Sequence, residues 1–270
     1  MQRRQKIFIK SQNKLVFLSD KEVGSEYWDN IWGVQSLVDL HRNPRNILIE
    51  KVTRKYIPKK EKLILEAGCG NAQYVRLLNN LGYNCCGIDY AETTVSQLNK
   101  FFPELQIYKR DVRDTEFDND SFDGYWSIGV IEHFVDTYDL IVDEARRIMK
   151  RDGFAFISFP YISPMRRLKI LLRRYPAKDY VDEYCIKHFN QYAMEKEQVI
   201  SVFREKGFRY VASYKYNGIL GWIEEVSALQ TIMNGLYSSI SKHIKVPRFI
   251  LNYILSIIMS HCILLVFQKK

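Results

Sequence analysis

The clearest pattern of apolar and polar positions begins at residue 63, where a short apolar run leads into helical spacing. Residues 63–65 are apolar, a turn with Gly68 and Gly70 follows, and apolar side chains then recur at positions 74, 77, 78 and 81. Spacings of three and four residues predict a helix, and Gly82 stands where its C-terminal cap belongs. The pattern therefore predicts a buried strand, a glycine turn and a helix.

Three further apolar runs predict strands that follow the first one along the chain. They cover residues 83–88, 105–109 and 122–128, and acids close the first three strands of the series, at Glu66, Asp89 and Asp111. In an open α/β sheet, ligands bind outside the carboxyl ends of the strands. The sequence thus predicts an α/β domain with a ligand at the glycine turn. The alternative is an α/β domain whose surface acids are unrelated to one another.

The remaining elements continue this alternation to the end of the chain. The pattern predicts a helix at 143–150, a strand at 154–159, a helix at 193–208 and a strand at 209–215. Residues 249–267 carry no charge, and a stretch of this length approaches the roughly 20 residues of a membrane span. Polar residues interrupt it, so we favour a helix at 249–259 followed by a last core strand at 261–270.

Two kinds of decoration surround the predicted core. Residues 1–60 are predicted to form an N-terminal helical cap, with helices at 27–32 and 47–56, before a domain that spans 61–270. Insertions are expected at about 161–192 and 218–260.

The first insertion contains a predicted basic amphipathic helix at 163–176. Its basic face holds Arg166, Lys169 and Arg173, and its apolar face holds Met165, Leu168, Leu172 and Tyr175. This helix is interpreted as a lid or as a contact with an anionic membrane surface. The alternative is a helix that lies on the domain with its charges in water.

Composition sets limits on the class of protein. A chain of 270 residues that is 47% apolar can bury a full core. The net charge of +9 suggests nucleic acid as a partner, but no nucleic-acid-binding motif is visible, so this reading is disfavoured. The five cysteines form no CxxC pair, and the basic N-terminus lacks an apolar leader. A cytoplasmic protein is expected, with membrane association left open.

The glycine turn also discriminates between nucleotide-like ligands. A dinucleotide fingerprint requires glycine at its sixth position, and Gln73 stands there instead. This argues against NAD and FAD. S-adenosylmethionine has no pyrophosphate, but it has ribose hydroxyls, an adenine and an amino-acid end that could use the strand-end acids.

Five motifs in order resemble those of class I S-adenosylmethionine-dependent methyltransferases, in particular the type 11 group. They are EAGCGN at 66–71, GIDYA at 87–91, RDV at 110–112, FDGYWSIGVIEHF at 122–134 and KRDGFAFISFP at 150–160. The resemblance covers about residues 60–215. It implies a Rossmann-like, doubly wound, seven-stranded sheet whose last strand is antiparallel.

The resemblance also implies roles for individual residues toward S-adenosylmethionine. Gly68, Cys69 and Gly70 would form the turn under the methionine end, which Glu66 would orient, and Asp89 would accept the ribose hydroxyls. Asp111 and Val112 would hold the adenine, and Ser127 and Ile128 would form the floor of the cofactor pocket. Tyr90 would pack beside the adenine, or it is ordinary packing at a helix start.

Two more assignments rest on shorter matches. YWD followed by LHRNP resembles the start of ubiquinone-biosynthesis O-methyltransferases, which places Arg42 near the cofactor carboxylate. Its alternative is a surface arginine. His133 is the candidate general base, with a structural role as its alternative. Glu132 and His133 are too few ligands for a metal, so no metal site is predicted.

The sequence therefore predicts a methyltransferase that acts on a small-molecule or lipid-type acceptor. An RNA-modifying enzyme and a non-catalytic, methyltransferase-like binding protein are the alternatives. The acceptor and the oligomeric state are not indicated by any motif.

Overall fold

The computed structural model describes residues 5–20, 24–32, 41, 44, 46–238 and 245–270. The strands are β1 Lys6–Ile9, β2 Lys14–Leu18, β3 Leu63–Ala67, β4 Asn84–Asp89, β5 Ile107–Lys109, β6 Phe122–Ile128, β7 Met149–Pro160, β8 Ala177–Lys178, β9 Phe189–Ala193, β10 Phe208–Tyr216 and β11 Cys262–Lys269. The helices are α1 Ser25–Trp32, α2 Ile47–Tyr56, α3 Gln73–Asn80, α4 Glu92–Phe101, α5 Asp139–Ile148, α6 Pro164–Leu171, α7 Glu183–Lys187, α8 Lys196–Glu205, α9 Gly218–Glu225, α10 Gln230–Ser238 and α11 Lys245–Met259.

The chain divides into two compact units. Unit 1 consists of residues 1–22, 158–200 and 213–265, and unit 2 consists of residues 23–157, 201–212 and 266–270. This division differs from the predicted boundary at residue 60, because the first strands group with the two insertions rather than with the helices that follow them.

A seven-stranded sheet has the order β10-β11-β7-β6-β3-β4-β5. Strand β3 pairs in parallel with both β4 and β6, and β4 pairs in parallel with β5. The sheet is mixed, because the last strand of the chain is antiparallel. These features confirm the predicted fold class. The order reverses direction at β3, and such a switch point opens a crevice at the carboxyl ends of the strands.

Unit 2 has a core of large side chains from the sheet and from the helices that cover it. Trp126 of β6 stacks on Phe156 of β7 with ring centroids 4.4 Å apart. The side chain of Asn46 caps α2 by accepting hydrogen bonds from the backbone N–H groups of Leu48 and Ile49. Helices α1 and α2 confirm the helices predicted at 27–32 and 47–56.

Unit 1 contains a second sheet that the sequence did not predict. Its order is β8-β1-β2-β9, and the register of β2 with β9 sets Leu15 opposite Ala193. Residues 6–18 are therefore strands, and the expectation of a helical cap is wrong for them. The runs KIFI and KLVFL are short, apolar and β-prone, and the turn between them places Asn13 at a φ of 49°.

Helix α6 confirms the helix predicted in the first insertion, but the predicted faces are only partly right: Arg173 is exposed and Tyr175 is buried, as expected, whereas Arg166 points inward. The side chain of Arg166 is fully buried, and its Nε donates to Oε1 of Glu225 over 2.9 Å. Leu168 and Leu172 are exposed, and Leu171 is 77% exposed. The basic face predicted for solvent or lipid thus points inward at Arg166, because α9 supplies a buried carboxylate that no local pattern reveals.

The end of the chain forms a helix and a core strand. Helix α11 is followed by β11, which lies between β10 and β7 in the sheet. The preference for a helix plus a strand over a membrane segment at 249–267 is confirmed. Within the described part of the chain, no helix combines the length and the apolar character needed to cross a membrane.

Candidate functional site

A cavity of about 510 Å³ opens at the carboxyl ends of β3, β4, β5 and β6, and all of its lining belongs to unit 2. Its volume falls in the range of small-molecule and cofactor pockets. The lining consists of Gly24, Trp28, Trp32, Glu66, Gly68, Cys69, Gly70, Asn71, Gln73, Tyr74, Asp89, Tyr90, Arg110, Asp111, Val112, Arg113, Ile128, Gly129, Val130, His133 and Phe134.

The glycine turn between β3 and α3 forms one wall of the cavity as bare backbone. Gly68 and Gly70 have φ angles of 75° and 50°, in the region that favours glycine. A Cβ on Gly68 would lie 2.5 Å from Cγ2 of Val130, and one on Gly70 would lie 2.8 Å from the Trp32 ring. Any side chain at these two positions would therefore displace the cavity wall.

Asp89 at the end of β4 holds the glycine turn in place. Its carboxylate accepts the backbone N–H of Gly70 over 2.8 Å and that of Ala91 over 3.0 Å. Burial raises the pKa of Asp89, while these hydrogen bonds act in the opposite direction. The same carboxylate lines the cavity, so it has a structural role in addition to the predicted contact with a ribose.

Glu66 at the end of β3 is a buried acid with unused hydrogen-bonding capacity. Its Oε2 has no hydrogen-bond partner among the described residues. Burial raises the pKa of Glu66 well above its usual range, and the nearby Asp89 raises it further. A buried polar atom without a partner is costly, so this oxygen is suited to a ligand that donates a hydrogen bond or carries positive charge.

Asp111, beyond the end of β5, is neutralised by an arginine. Nε of Arg113 donates to Oδ1 over 2.9 Å, and Nη2 donates to Oδ2 over 2.6 Å. These bonds lower the pKa of Asp111. The guanidinium carbon of Arg113 lies 5.5 Å from the centroid of the Phe134 ring. The pair therefore presents a charged but compensated edge to the cavity.

Aromatic residues of α1 form a second part of the cavity wall, next to the glycine turn. Trp28 and Trp32 stack with centroids 6.2 Å apart, and the Trp28 ring meets His133 edge-on at 4.7 Å. Asp29 on the same helix accepts hydrogen bonds from the backbone N–H and the hydroxyl of Thr94, at the start of α4. The helix is therefore held at its docking position by a polar contact as well as by apolar packing.

Tyr90 joins this wall from the end of β4. It is 47% exposed and forms a hydrogen bond with the side chain of Trp28. Partial burial raises the pKa of Tyr90 to about 12, with further contributions from Asp89 and Asp111. The Tyr90 ring lines the cavity, and its packing beside an adenine stays a prediction.

Glu132 and His133 follow β6 in a single 3-10 turn, Ile131–His133. Glu132 is buried, and its Oε2 has no hydrogen-bond partner among the described residues. Burial raises the pKa of Glu132 to about 8. His133 lines the cavity, whereas Glu132 is not part of the lining. The described residues contain no group of three or more potential metal ligands.

Most of the residues predicted from the sequence meet at this cavity. Its lining includes Glu66, Gly68, Cys69, Gly70, Asp89, Tyr90, Asp111, Val112, Ile128 and His133. Ser127 is buried and is not part of the lining. Arg42 lies outside the described residues, while one ring nitrogen of its neighbour His41 lies 2.6 Å from the carbonyl oxygen of Asn71. The structure thus brings most of the predicted residues together at one cavity, whereas their roles toward a ligand stay predictions.

Several lining residues were not predicted as part of the site, among them Trp28, Trp32, Arg113, Val130 and Phe134. Trp28 and Trp32 are four residues apart, a spacing that puts both on one helical face, but such a spacing does not distinguish a ligand wall from core packing. Arg113 directly follows the RDV motif, so its position was a usable signal.

Comparison with known sequences identifies methyltransferases as relatives of this chain. A family model described as a methyltransferase domain matches residues 65–157. A probable S-adenosylmethionine-dependent methyltransferase of Mycolicibacterium smegmatis is 29% identical over 97 residues, which is 36% of this chain and 37% of that protein. A ubiquinone biosynthesis O-methyltransferase of Rickettsia bellii is 28% identical over 156 residues, covering 55% of this chain and 62% of that protein.

A solved structure extends the likeness to almost the whole chain. It is the Burkholderia thailandensis 1,6-didemethyltoxoflavin-N1-methyltransferase with bound 1,6-didemethyltoxoflavin and S-adenosylhomocysteine, at a TM-score of 0.50 and 14% identity over 98% of this chain and 99% of that one. At this identity the likeness concerns the fold alone. The match of residues 65–157 to a methyltransferase-domain model, the order of the motifs and the sheet order agree with one another. The chain is thus similar, over part of their length, to relatives named as S-adenosylmethionine-dependent and ubiquinone-biosynthesis methyltransferases.

Proposed function

We propose that this chain binds S-adenosylmethionine in the unit 2 cavity and transfers its methyl group to a small-molecule or lipid-type acceptor. The observation that carries the proposal is the convergence of Glu66, Asp89 and Asp111 with the bare glycine turn on one cavity of about 510 Å³. The similarity to a relative named as a ubiquinone biosynthesis O-methyltransferase supports a hydroxyl oxygen as the acceptor atom.

The residues present fit the chemistry of this cofactor. The unpartnered Oε2 of Glu66 offers an acceptor for a ligand ammonium group, and its negative charge would be stabilised by that contact. Asp89 offers carboxylate lone pairs to ribose hydroxyls from the end of the second sheet strand in the series. Tyr90 and Val112 provide flat and apolar surfaces for a purine.

The chain's own contribution to the reaction is positioning and exclusion of water. Bound S-adenosylmethionine supplies a methyl group attached to a sulfonium sulfur. This sulfur becomes a neutral thioether on methyl transfer, so the leaving group needs no acid from the protein. Trp28, Trp32 and Phe134 provide an apolar wall that limits the access of water to the reacting atoms. His133 lies beside Trp28 in the cavity lining, which supports the proposal that it accepts a proton from a hydroxyl or amine.

Isothermal titration calorimetry with S-adenosylhomocysteine tests the binding half of the proposal. Wild type should bind saturably, and Asp89→Ala should raise the Kd by about ten- to a hundredfold, since charge-assisted hydrogen bonds are lost. Because Asp89 also holds the Gly70 backbone, each variant's melting temperature must be compared with that of wild type. Asp136→Ala, at another acid of unit 2, is the control. Absence of saturable binding, or equal affinity in folded Asp89→Ala, would overturn the proposal.

Release of S-adenosylhomocysteine with a panel of acceptors tests the transfer half. The panel contains phenols, amines, polyprenyl quinol precursors, total lipid extract and transfer RNA. His133→Gln should lower kcat for a hydroxyl acceptor about a hundredfold and leave the affinity for S-adenosylhomocysteine unchanged. Binding without turnover on any acceptor would favour the non-catalytic alternative, and turnover on RNA alone would favour the RNA-modifying one.

A further inference from the structure

Helix α11 of unit 1 presents an apolar face to solvent. Seven of its apolar side chains are each more than half exposed, at spacings of three and four residues that align them on one side of the helix. They are Val246, Phe249, Ile250, Tyr253, Ile254, Ile257 and Ile258. Exposed single apolar residues are ordinary, but a continuous stripe of this length marks an interaction surface.

The helix cannot bury this stripe by rotating, because its other side is already docked. A Cβ on Gly221 of α9 would lie 1.5 Å from the carbonyl oxygen of Met259, so the two backbones are in direct contact. The backbone N–H of Ile219 donates to Oδ1 of Asn252 over 3.1 Å, and Leu255 packs on the α9 core. The polar residue Asn252 thus faces the protein while the isoleucines face outward.

Neighbouring helices of unit 1 carry similar side chains. Helix α6 packs beside α11 and exposes Leu168, Leu171 and Leu172 around its C-terminal end. Helix α10 exposes Ile232, which is 59% accessible. We call the stripe on α11, together with the three exposed leucines of α6, the apolar face.

The charged residues next to the apolar face along the chain are positive. Helix α11 contains Lys245 and Arg248 and no aspartate or glutamate. Residues 163–176 also lack acids, and the exposed Arg173 and Arg174 directly follow the exposed leucines of α6. Apolar side chains accompanied by cations are the composition of surfaces that lie in the headgroup region of a membrane.

We propose that the apolar face is a peripheral membrane-binding surface for anionic lipid bilayers. The isoleucines and Phe249 would enter the boundary between headgroups and acyl chains, and the accompanying cations would contact lipid phosphates. A second copy of the chain is a poorer occupant, because a symmetric contact sets each patch against itself and brings like charges together. The proposal is independent of the methyl-transfer assignment.

Vesicle flotation of the full chain tests the proposal. Vesicles of phosphatidylcholine alone are compared with vesicles in which about a third of the lipid is phosphatidylglycerol. The chain should float with the anionic vesicles, and higher salt should weaken its binding by screening. The double variant Ile254→Glu/Ile258→Glu should lower the partition coefficient about tenfold or more, because two buried side chains are lost from the lipid boundary. Arg173→Glu/Arg174→Glu should weaken binding to anionic vesicles alone.

Matched controls separate lipid contact from misfolding. Leu140→Glu replaces a leucine that is 61% exposed on α5 and should leave flotation unchanged. All variants should keep the wild-type melting temperature, since the substituted side chains are exposed. Failure of wild type to float, or unchanged flotation of the folded double isoleucine variant, would overturn the proposal. So would light scattering that shows a wild-type dimer and a monomeric isoleucine variant, because the occupant would then be a second copy.

Discussion

Glu132 is the side chain from which we expect a distinct pH dependence of stability. Burial raises its pKa to about 8, so the folded state favours the protonated carboxyl. A raised pKa contributes stability that is fully present below the ordinary value, near 4.5, and is lost as the pH rises to about 8. Over that window the loss approaches about 1.4 kcal/mol per pH unit. In Glu132→Gln this contribution to the slope should be absent.

Urea unfolding followed by circular dichroism between pH 5 and pH 8.5 measures this difference. Glu66 also has a raised pKa, so wild type and Glu132→Gln must be compared at each pH rather than judged by the wild-type slope alone. Glu205→Gln, at an exposed acid of α8, should follow wild type throughout. Parallel curves for wild type and Glu132→Gln would show that Glu132 is charged in the folded state.

The acids of the site could be predicted from sequence for a physical reason. Parallel strands that end in Glu66, Asp89 and Asp111 must bring these residues to one edge of the sheet, whatever the loops do. Trp28 carries no such constraint, because its place on the cavity wall depends on docking of α1 through Asp29 to Thr94. That contact joins positions 65 residues apart, and no local pattern encodes it.

Helix α6 shows how a single distant carboxylate can turn part of a predicted basic face inward. Glu225 of α9 forms ion pairs with Lys6, Arg166 and Lys169 and accepts a hydrogen bond from the hydroxyl of Tyr175. Burial would raise the pKa of Glu225, but the charges of Arg166 and Lys6 outweigh it and hold the pKa well below its usual range. Charged side chains that look like a solvent face can therefore form the interior of unit 1.

Removal of this carboxylate should be costly. Glu225→Gln leaves the buried guanidinium of Arg166 without its counter-charge, while Lys6 keeps its ion pair with Glu224 over 2.9 Å. We expect the loss at Arg166 to lower the free energy of unfolding by roughly 3–5 kcal/mol. Urea unfolding at pH 7 measures the change. Glu195→Gln is the matched control, because Glu195 pairs with the 62% exposed Arg167 of the same helix. Its cost should stay below about 1 kcal/mol. Equal costs for the two variants would contradict a buried network.

The two compact units differ in how much of them the sequence reveals. The strands and helices of unit 2 alternate at regular spacing, so hydrophobic periodicity predicted most of them. Unit 1 is assembled from segments far apart in the chain, such as β2 and β9, whose paired residues Leu15 and Ala193 are 178 positions apart. Pairings of such long range leave no periodic signal, which explains why β1 and β2 were expected to be part of a helical cap.

This division leads to a prediction for hydrogen exchange of the whole chain. The cavity is lined by unit 2 alone, and the apolar face belongs to unit 1 alone. S-adenosylhomocysteine at a hundred times its Kd should add about 2.7 kcal/mol of stability and slow exchange at 66–74, 89–91 and 128–134. Anionic vesicles should instead slow exchange at 246–258. Asp89→Ala should lose only the first effect, and Ile254→Glu/Ile258→Glu only the second. If each variant lost both effects, the cavity and the apolar face would have to be treated as one binding site.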